Sequence, residues 1–214
     1  MRWRWRIAWV LTYPGARLFL PLRVEGREEL LPGAQIIAAN HTSNFDPLLI
    51  GWAAGREIYF LAKEELFRHR AFAWLIRSWN ALPVGRGGVD RRAIRLCSRV
   101  LRQGRILVLF PEGTRSRNGR LGEFKPGIGM LAVRNQVPVV PAFISGLSRS
   151  LLSYWVDRDF VRLGLRVKPR GCVPIRVRFG SAVFPERFPV NRDGYTRFTA
   201  LVQERVMALA GEKR

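Results

Sequence analysis

The chain of 214 residues, 48% of them hydrophobic, is long enough to bury one sizeable core and short for two. Lys and Arg number 37 against 16 Asp and Glu, so the formal net charge is +21 and the surface must attract polyanions, whether nucleic acid, an anionic membrane or acidic carriers and substrates. The two cysteines, Cys97 and Cys172, lack metal or redox spacing, which argues against a zinc site or a disulfide framework. We expect both to be reduced and structural.

The first 21 residues join basic and aromatic side chains to a short apolar run. Arg and Trp alternate from Met1 to Arg6, Ile7 to Leu11 is apolar, and Pro14-Gly15 interrupts the pattern. This run falls short of the about 20 apolar residues that a membrane-spanning helix needs. Because Trp and Arg together suit a lipid–water boundary, we predict a membrane-interfacial segment over residues 1–21, with Trp and Leu in the lipid and Arg at phosphate head groups. The alternative is a flexible basic terminus partly packed on the domain.

From residue 22 onwards, strand and helix patterns alternate. Leu22–Gly26 is typical of an edge strand, and the apolar run Ala34–Ala39 of a buried one. A helix is predicted over Asp46–Ala54 and a further strand over Glu57–Leu61. Glu64–Trp79 then shows helical spacing with a wide apolar arc, which fits either a buried helix or one that faces a membrane.

The second half of the chain continues the alternation. Asp90–Arg102 is amphipathic, with Asp90 as the predicted N-cap and a row of arginines on the outer face. Prolines at the start and middle of the strand Val137–Ile144 favour an edge position or a bulge, and Ser148–Gly171 gives little signal. The other predicted elements are the strand Gly104–Leu109, a helix ending at Arg134, the strand Ile175–Gly180 and the helix Tyr195–Leu209.

This alternation predicts the fold class. We expect an α/β fold, a single domain over residues 22–214 with a largely parallel or mixed central sheet flanked by helices. The segment 1–21 would stand apart from it at the membrane.

A polar loop, Asn40-His41-Thr42-Ser43-Asn44-Phe45-Asp46, joins the strand ending at Ala39 to the next helix. Imidazole, with a reference pKa of about 6.5, can take a proton from a hydroxyl near neutral pH and return it later. Asp46 can turn back, fix the tautomer of His41 and stabilise its cation. No Cys or Gly-x-Ser-x-Gly elbow lies nearby, which favours direct attack by a substrate hydroxyl on an activated acyl group. The competing interpretation is a helix-capping Asp beside a loop His.

A second polar loop follows another strand about seventy residues later, with the sequence Phe110-Pro111-Glu112-Gly113-Thr114-Arg115-Ser116. Together with His-x-x-x-x-Asp, this loop resembles the glycerolipid acyltransferase family, the lysophosphatidate acyltransferase group in particular. Pro83-Val84-Gly85-Arg86 is similar to the second motif of that family, and Val137–Pro141 to its fourth. The resemblance covers a motif-bearing core of about residues 36–144.

One position departs from the family pattern. The family usually has an Asp directly before the second-motif Arg, and Gly85 stands in that place. Arg86 therefore lacks the neighbouring carboxylate that would orient it.

The resemblance implies how the site residues divide the work. It assigns catalysis to His41 and Asp46, and binding of the acyl acceptor to Arg86, Glu112, Gly113, Thr114 and Arg115. The implied reaction is attack of the free hydroxyl of lysophosphatidate on an acyl thioester, which yields phosphatidate, with His41 as general base. Acyl-CoA or acyl carrier protein would be the donor substrate, and no cofactor or metal is expected.

The residue types in the second loop suit that assignment. Arg115 and Arg86 can hold a phosphate dianion through forked hydrogen bonds. Gly113 lets the backbone approach a glycerol moiety closely, because it has no Cβ. Glu112 either accepts a hydrogen bond from a glycerol hydroxyl or pairs with an Arg, and the sequence leaves both open.

Two alternatives stand beside this prediction. The acceptor can be another lysolipid or glycerol 3-phosphate, or the chain can be a non-catalytic basic protein that binds membrane or nucleic acid. Against nucleic acid, no aromatic and basic RNA-binding motif, helix-turn-helix or zinc-finger spacing is present. We expect the protein to be peripheral or monotopic at the cytoplasmic face of an anionic membrane.

Overall fold

The computed structural model describes residues 5–7, 9–10, 21–85, 90–117 and 120–211. Its strands are β1 (Leu22–Glu25), β2 (Gln35–Ala39), β3 (Ile58–Lys63), β4 (Ala81–Val84), β5 (Ile106–Leu109), β6 (Val139–Ser145) and β7 (Ile175–Phe179). Its helices are α1 (Asp46–Ala54), α2 (Arg70–Ser78), α3 (Arg91–Arg102), α4 (Gly127–Asn135), α5 (Leu151–Val156), α6 (Arg158–Arg162) and α7 (Arg192–Gly211). Short 3-10 turns cover Arg27–Glu29, Glu64–Phe67 and Leu147–Arg149.

The described strands form one sheet in the order β1-β7-β6-β2-β5-β3-β4. Strand β2 lies at the centre and pairs in parallel with both β5 and β6, and β3 pairs in parallel with β5 and β4. Strand β7 runs antiparallel to β6 and parallel to β1. The predicted α/β fold with a mixed, mostly parallel sheet is confirmed, and the predicted edge strand at Leu22 is the observed β1.

Helices cover both faces of the sheet, which explains the sequences of the central strands. Every residue of β2 and of β5 is buried, and a parallel strand that is covered on both faces needs a continuous apolar run. The residues of β2 divide between two clusters, Ile37 on one side and Ile36 on the other. Strand β7 alternates buried and half-buried residues, as its period-2 pattern predicted.

Two expectations about the elements are wrong. Strand β6 lies inside the sheet between β2 and β7, so the predicted edge position is wrong, whereas the alternative, a bulge, agrees with the one-residue shift in register between Val139↔Val183 and Ala142↔Phe179. Pro141 is tolerated because the ladder with β7 begins only at Ala142. The predicted helix Glu64–Trp79 is divided into the 3-10 turn Glu64–Phe67 and α2, and α2 buries only Ala73. The predicted N-cap of α3 is confirmed, since Asp90 accepts hydrogen bonds from the first turn.

The N-terminal segment is described only in part. Trp5 is fully buried in the core and makes an edge contact with Trp79, at 6.0 Å between ring centroids, so this Trp is not free to enter lipid as we expected. Ile7 and Val10 are exposed on the same short stretch. The remainder of the predicted segment 1–21 lies outside the described residues. Among the described helices, none has the length and hydropathy needed to cross a membrane.

Candidate active site

His41 and Asp46 form a hydrogen-bonded pair at the carboxyl end of β2. The Nδ1 atom of His41 lies 2.8 Å from Oδ2 of Asp46, and the Asp46 side chain is fully buried whereas that of His41 is 19% exposed. The same Oδ2 atom accepts hydrogen bonds from the backbone amides of Thr42 at 2.6 Å and Ser43 at 2.8 Å. These bonds fold the loop back onto the first turn of α1. Asp46 therefore shapes the loop and orients the imidazole at once.

The second loop clamps the backbone of His41 from the neighbouring strand. The amide of His41 donates to Oε1 of Glu112 at 2.8 Å, and the carbonyl of His41 accepts from the amide of Ser116 at 2.7 Å. The imidazole stacks on the ring of Phe110, with 4.3 Å between the centroids. These contacts follow from the parallel pairing of β2 and β5, because parallel strands end at the same edge of a sheet. The structure thus brings together the two loops that the sequence singled out.

Glu112 is buried and holds loops together with both carboxylate oxygens. Its Oε1 accepts the hydrogen bond from the His41 amide, and its Oε2 accepts one from the amide of Gly122 at 2.9 Å. Each carboxylate oxygen has a second lone pair, so these bonds leave capacity for an acceptor hydroxyl. Gly113 has a φ of 71°, which explains why glycine occupies this turn, and its missing Cβ would lie 2.7 Å from Nζ of Lys125. Thr114 is exposed beside it.

Arg115 lies between two carboxylates that the sequence did not single out. Its Nη1 donates to Oδ1 of Asp157 at 2.8 Å and to Oδ1 of Asp159 at 3.2 Å, and its Nη2 pairs with Oδ2 of Asp159. The guanidinium carbon lies 4.1 Å from the ring centroid of Phe160. Burial works against the charge of Arg115, but the hydrogen bonds and charges of Asp159 and Asp157 outweigh it, so the pKa of Arg115 rises above its usual value.

The segment that supplies these carboxylates also supports the His41 loop. Asp157 is fully buried and accepts the backbone amide of Asn44 at 2.9 Å and the hydroxyl of Ser153 at 2.6 Å. Buried Arg166 donates to the carbonyl of Thr42 and to the hydroxyl of Ser153. Burial lowers the pKa of Arg166 from its usual value. These residues lie in the region Ser148–Gly171, where the sequence showed no usable periodicity.

The second motif is only partly described. Arg86 lies outside the described residues, so its position in the site stays a prediction. At Gly85, where the family has an Asp, the backbone amide donates to Oδ2 of Asp90 at 2.8 Å, and this bond is the first cause that lowers the pKa of Asp90. The carboxylate of Asp90 also lies 3.4 Å from the position that a Cβ of Gly85 would take. A carboxylate thus reaches this position from the N-cap of α3.

A cleft of about 360 Å³ opens beside this motif. It is lined by Glu64, Glu65, Phe67, Arg68 and Gly85, so it lies between the 3-10 turn that follows β3 and the end of β4. Both strands run parallel to β5, which places the cleft at the same edge of the sheet as the two loops. The lining of this cleft includes none of His41, Asp46, Glu112 and Arg115.

A family model described as acyltransferase matches residues 21–145, more than half of the chain and including both loops. The chain belongs to the acyltransferase family. It is similar to proteins named 1-acyl-sn-glycerol-3-phosphate acyltransferase from Limnanthes douglasii (29% identity over 83% of this chain and 57% of that one), Cocos nucifera (31%, 76% and 50%) and Streptococcus pneumoniae (33%, 52% and 41%). The chain spans about half the length of these curated relatives.

A solved structure agrees with the sequence comparison. The 1-acyl-sn-glycerophosphate (LPA) acyltransferase PlsC from Thermotoga maritima superposes with a TM-score of 0.65 and 27% sequence identity, over 92% of this chain and 75% of that one. The family predicted from the two loop motifs is therefore confirmed, and so is the α/β architecture.

Proposed function

We propose that this acyltransferase moves a fatty acyl group from an acyl thioester to the free hydroxyl of lysophosphatidate and so forms phosphatidate. The observation that supports it is the joining of the His41–Asp46 pair to the Glu112–Arg115 loop through the backbone of His41. In this proposal, the two joined loops supply a proton acceptor and a phosphate-binding motif to one small phosphorylated alcohol. The names of the relatives agree with this acceptor.

His41 acts as the general base in this proposal. Asp46 holds Nδ1, which leaves Nε2 as the nitrogen that takes the proton from the acceptor hydroxyl. The alkoxide oxygen attacks the thioester carbonyl, a tetrahedral oxyanion forms, and its collapse expels the thiolate, which recovers the proton from His41. The buried carboxylate of Asp46 stabilises the imidazolium between the two proton transfers. Acyl-CoA or acyl carrier protein supplies the thioester, and the reaction needs no cofactor.

Arg115, Gly113, Thr114 and Glu112 bind the acceptor, with Arg86 from the second motif completing the phosphate site. The carboxylate of Glu112 holds this loop against the backbone of His41. Its remaining lone pairs can accept a hydrogen bond from the acceptor hydroxyl or from water. Glycerol 3-phosphate and other lysolipids carry the same hydroxyl and phosphate chemistry. They are therefore the acceptors to compare with lysophosphatidate.

The site works at an anionic membrane surface, and two exposed apolar surfaces support this part of the proposal. Helix α2 follows β3 and exposes Phe72, Trp74 and Leu75, with Trp74 66% exposed. Helix α5 follows β6 and exposes Leu151 and Trp155, the latter 56% exposed. Because β6, β2, β5 and β3 are neighbours and end at one edge, these surfaces lie on either side of the two catalytic loops.

Arginines border both apolar surfaces, where their guanidinium groups can bind the phosphate head groups of an anionic leaflet. Arg70 and Arg77 are exposed on α2, and Arg158 places its guanidinium 4.4 Å from the ring centroid of Trp155. Trp beside Arg suits the boundary between acyl chains and phosphate head groups. A peripheral or monotopic association at the cytoplasmic leaflet would present the site mouth to the lipid acceptor in its own plane.

Thiol release tests the reaction. Purified protein mixed with lysophosphatidate in vesicles and acyl-CoA is expected to release CoA thiol and form phosphatidate. His41→Ala is expected to abolish release, whereas His69→Ala, which removes the exposed histidine at the start of α2, keeps it. Turnover in His41→Ala close to that of the wild type would refute the general-base assignment. An acceptor panel with one labelled acyl-CoA separates lysophosphatidate from glycerol 3-phosphate and other lysolipids.

Vesicle binding tests the membrane surfaces. Trp74→Ala and Trp155→Ala are each expected to weaken co-sedimentation with vesicles containing phosphatidylglycerol, and Phe184→Ala, which removes an exposed aromatic ring near the amino end of β6, is the control. Equal binding by all three variants would reject the assignment of these surfaces. Deletion of residues 1–20 tests the N-terminal anchor in the same assay. Tight, salt-sensitive binding of nucleic acid without acyl transfer would favour the non-catalytic alternative.

A further inference from the structure

We propose that Asp159 is a displaceable carboxylate that occupies the phosphate-binding face of Arg115 until the acceptor arrives, and so sets the affinity for phosphorylated acceptors. This inference rests on the proposed function, in which Arg115 binds the acceptor phosphate. Asp159 accepts hydrogen bonds from both terminal nitrogens of Arg115, from Nη1 through Oδ1 and from Nη2 through Oδ2. A phosphate would use the same two-pronged arrangement. The two anions cannot occupy that face of the guanidinium together.

The two carboxylates at Arg115 differ in how tightly they are held. The side chain of Asp157 is fully buried and also accepts the Asn44 amide and the Ser153 hydroxyl, so it stays in place whatever binds nearby. The side chain of Asp159 is 55% exposed, and water can solvate it once it is released. Asp159 is therefore the partner that leaves, and Asp157 the one that keeps Arg115 oriented.

Arg115 itself is fixed well enough to exchange one anion for another. Its side chain is only 10% exposed and lies over the ring of Phe160, which also packs against Arg166 at 4.9 Å. With Asp157 and Phe160 in place, the exchange leaves the guanidinium where it is. The hydrogen bond from Arg115 lowers the pKa of Asp159, so its carboxylate is charged at neutral pH.

Removal of the competing charge tests the inference. Asp159→Asn is expected to lower the KM for lysophosphatidate and the inhibition constant of inorganic phosphate by about two- to fivefold, the range that an exposed ion pair spans. The KM for the acyl donor and kcat stay unchanged, and Asp159→Glu restores wild-type behaviour. The matched control is Asp193→Asn, which removes an exposed carboxylate paired with Arg197 on α7. Calorimetric titration with glycerol 3-phosphate, without donor, measures the same effect at equilibrium.

The outcomes separate this inference from the proposed function. A KM and phosphate inhibition that stay unchanged in Asp159→Asn, or a KM that rises, would overturn the role of Asp159 while leaving the acyl transfer intact. A third outcome combines two results: Asp159→Asn binds glycerol 3-phosphate more tightly, and the wild-type protein transfers no acyl group to lysophosphatidate. The first result would support the exchange of anions at Arg115, and the second would reject the proposed reaction. If Asp193→Asn lowers the KM for lysophosphatidate and the inhibition constant of phosphate equally, the effect comes from net charge alone and the inference is rejected.

Discussion

Asp46→Asn separates the charge of the catalytic pair from its shape. Asparagine has the size of aspartate, and its carbonyl oxygen can take the place of Oδ2. That atom is hydrogen-bonded to Nδ1 of His41 and accepts hydrogen bonds from the backbone amides of Thr42 and Ser43. The amide nitrogen then faces the hydroxyl of Thr42, which can accept, at the 3.3 Å now spanned by Oδ1. The loop keeps its bonds, and only the negative charge is lost.

The magnitude follows from what the charge does during the reaction. In the proposed reaction, the buried carboxylate of Asp46 faces the imidazolium that would form as the acceptor hydroxyl loses its proton. Without that charge, the general-base contribution of His41 is expected to fall, and kcat with it, by about 10²- to 10⁴-fold. Stability falls by only about 1 kcal/mol, because charge-assisted hydrogen bonds become neutral ones. Asp46→Ala instead leaves the buried amides of Thr42 and Ser43 without an acceptor, which costs about 1–3 kcal/mol of unfolding free energy for each.

The assay compares turnover and unfolding in the same preparations. Thiol release at saturating acyl-CoA and lysophosphatidate gives kcat, and urea unfolding gives the free energy of unfolding for the wild type, Asp46→Asn and Asp46→Ala. A loss of kcat in Asp46→Asn with a nearly unchanged urea midpoint supports the catalytic role. A kcat within tenfold of the wild type would show that Asp46 only shapes the loop.

Three further outcomes follow from packing and titration. Gly129→Ala is expected to lower the free energy of unfolding by about 1–3 kcal/mol through overpacking, because its Cβ would lie 2.1 Å from the carbonyl oxygen of Tyr195. An unchanged urea midpoint would contradict the tight contact of α4 with α7. Burial raises the pKa of Cys97 to about 12, so at pH 8 a thiol reagent is expected to label exposed Cys172 alone, and both thiols in denaturant. Asp90→Ala is expected to destabilise at pH 7, and because the pKa of Asp90 is lowered in the fold, its difference from the wild type should shrink as the pH falls through that pKa. A difference that persists in acid would reject this assignment.

The sequence predicted the elements whose periodicity is set by burial on the sheet. Helix α1 begins at Asp46 and ends at Ala54 as predicted, because the polar loop and Pro47 mark its start and Gly55 its end. Strands β2 and β5 carry apolar runs that only a sheet covered on both faces requires. The edge position predicted for β6 is wrong, because proline disfavours an interior strand only where its missing amide is needed, and the ladder to β7 begins one residue after Pro141.

The pairing of His41 with Asp46 could be predicted from the sequence, and the residues that support this pair could not. His41 and Asp46 are five positions apart, so one loop brings them together whatever the rest of the fold does. Asp157 meets Arg115 across 42 residues, and Arg166 meets Thr42 across 124 residues. Such contacts depend on how two short helices pack on the loops, and five- or six-residue helices are too short to leave a periodic signal.

The double anchoring of the His41 backbone has a mechanical consequence. The amide of His41 donates to the side chain of Glu112 and its carbonyl accepts from the amide of Ser116, so the two loops remain joined beyond the last paired residues of β2 and β5. His41 and the loop of residues 112–116 are thus held together at the carboxyl ends of the two central strands. A substitution in the second loop that removes the Glu112 carboxylate is therefore expected to displace the imidazole of His41 as well.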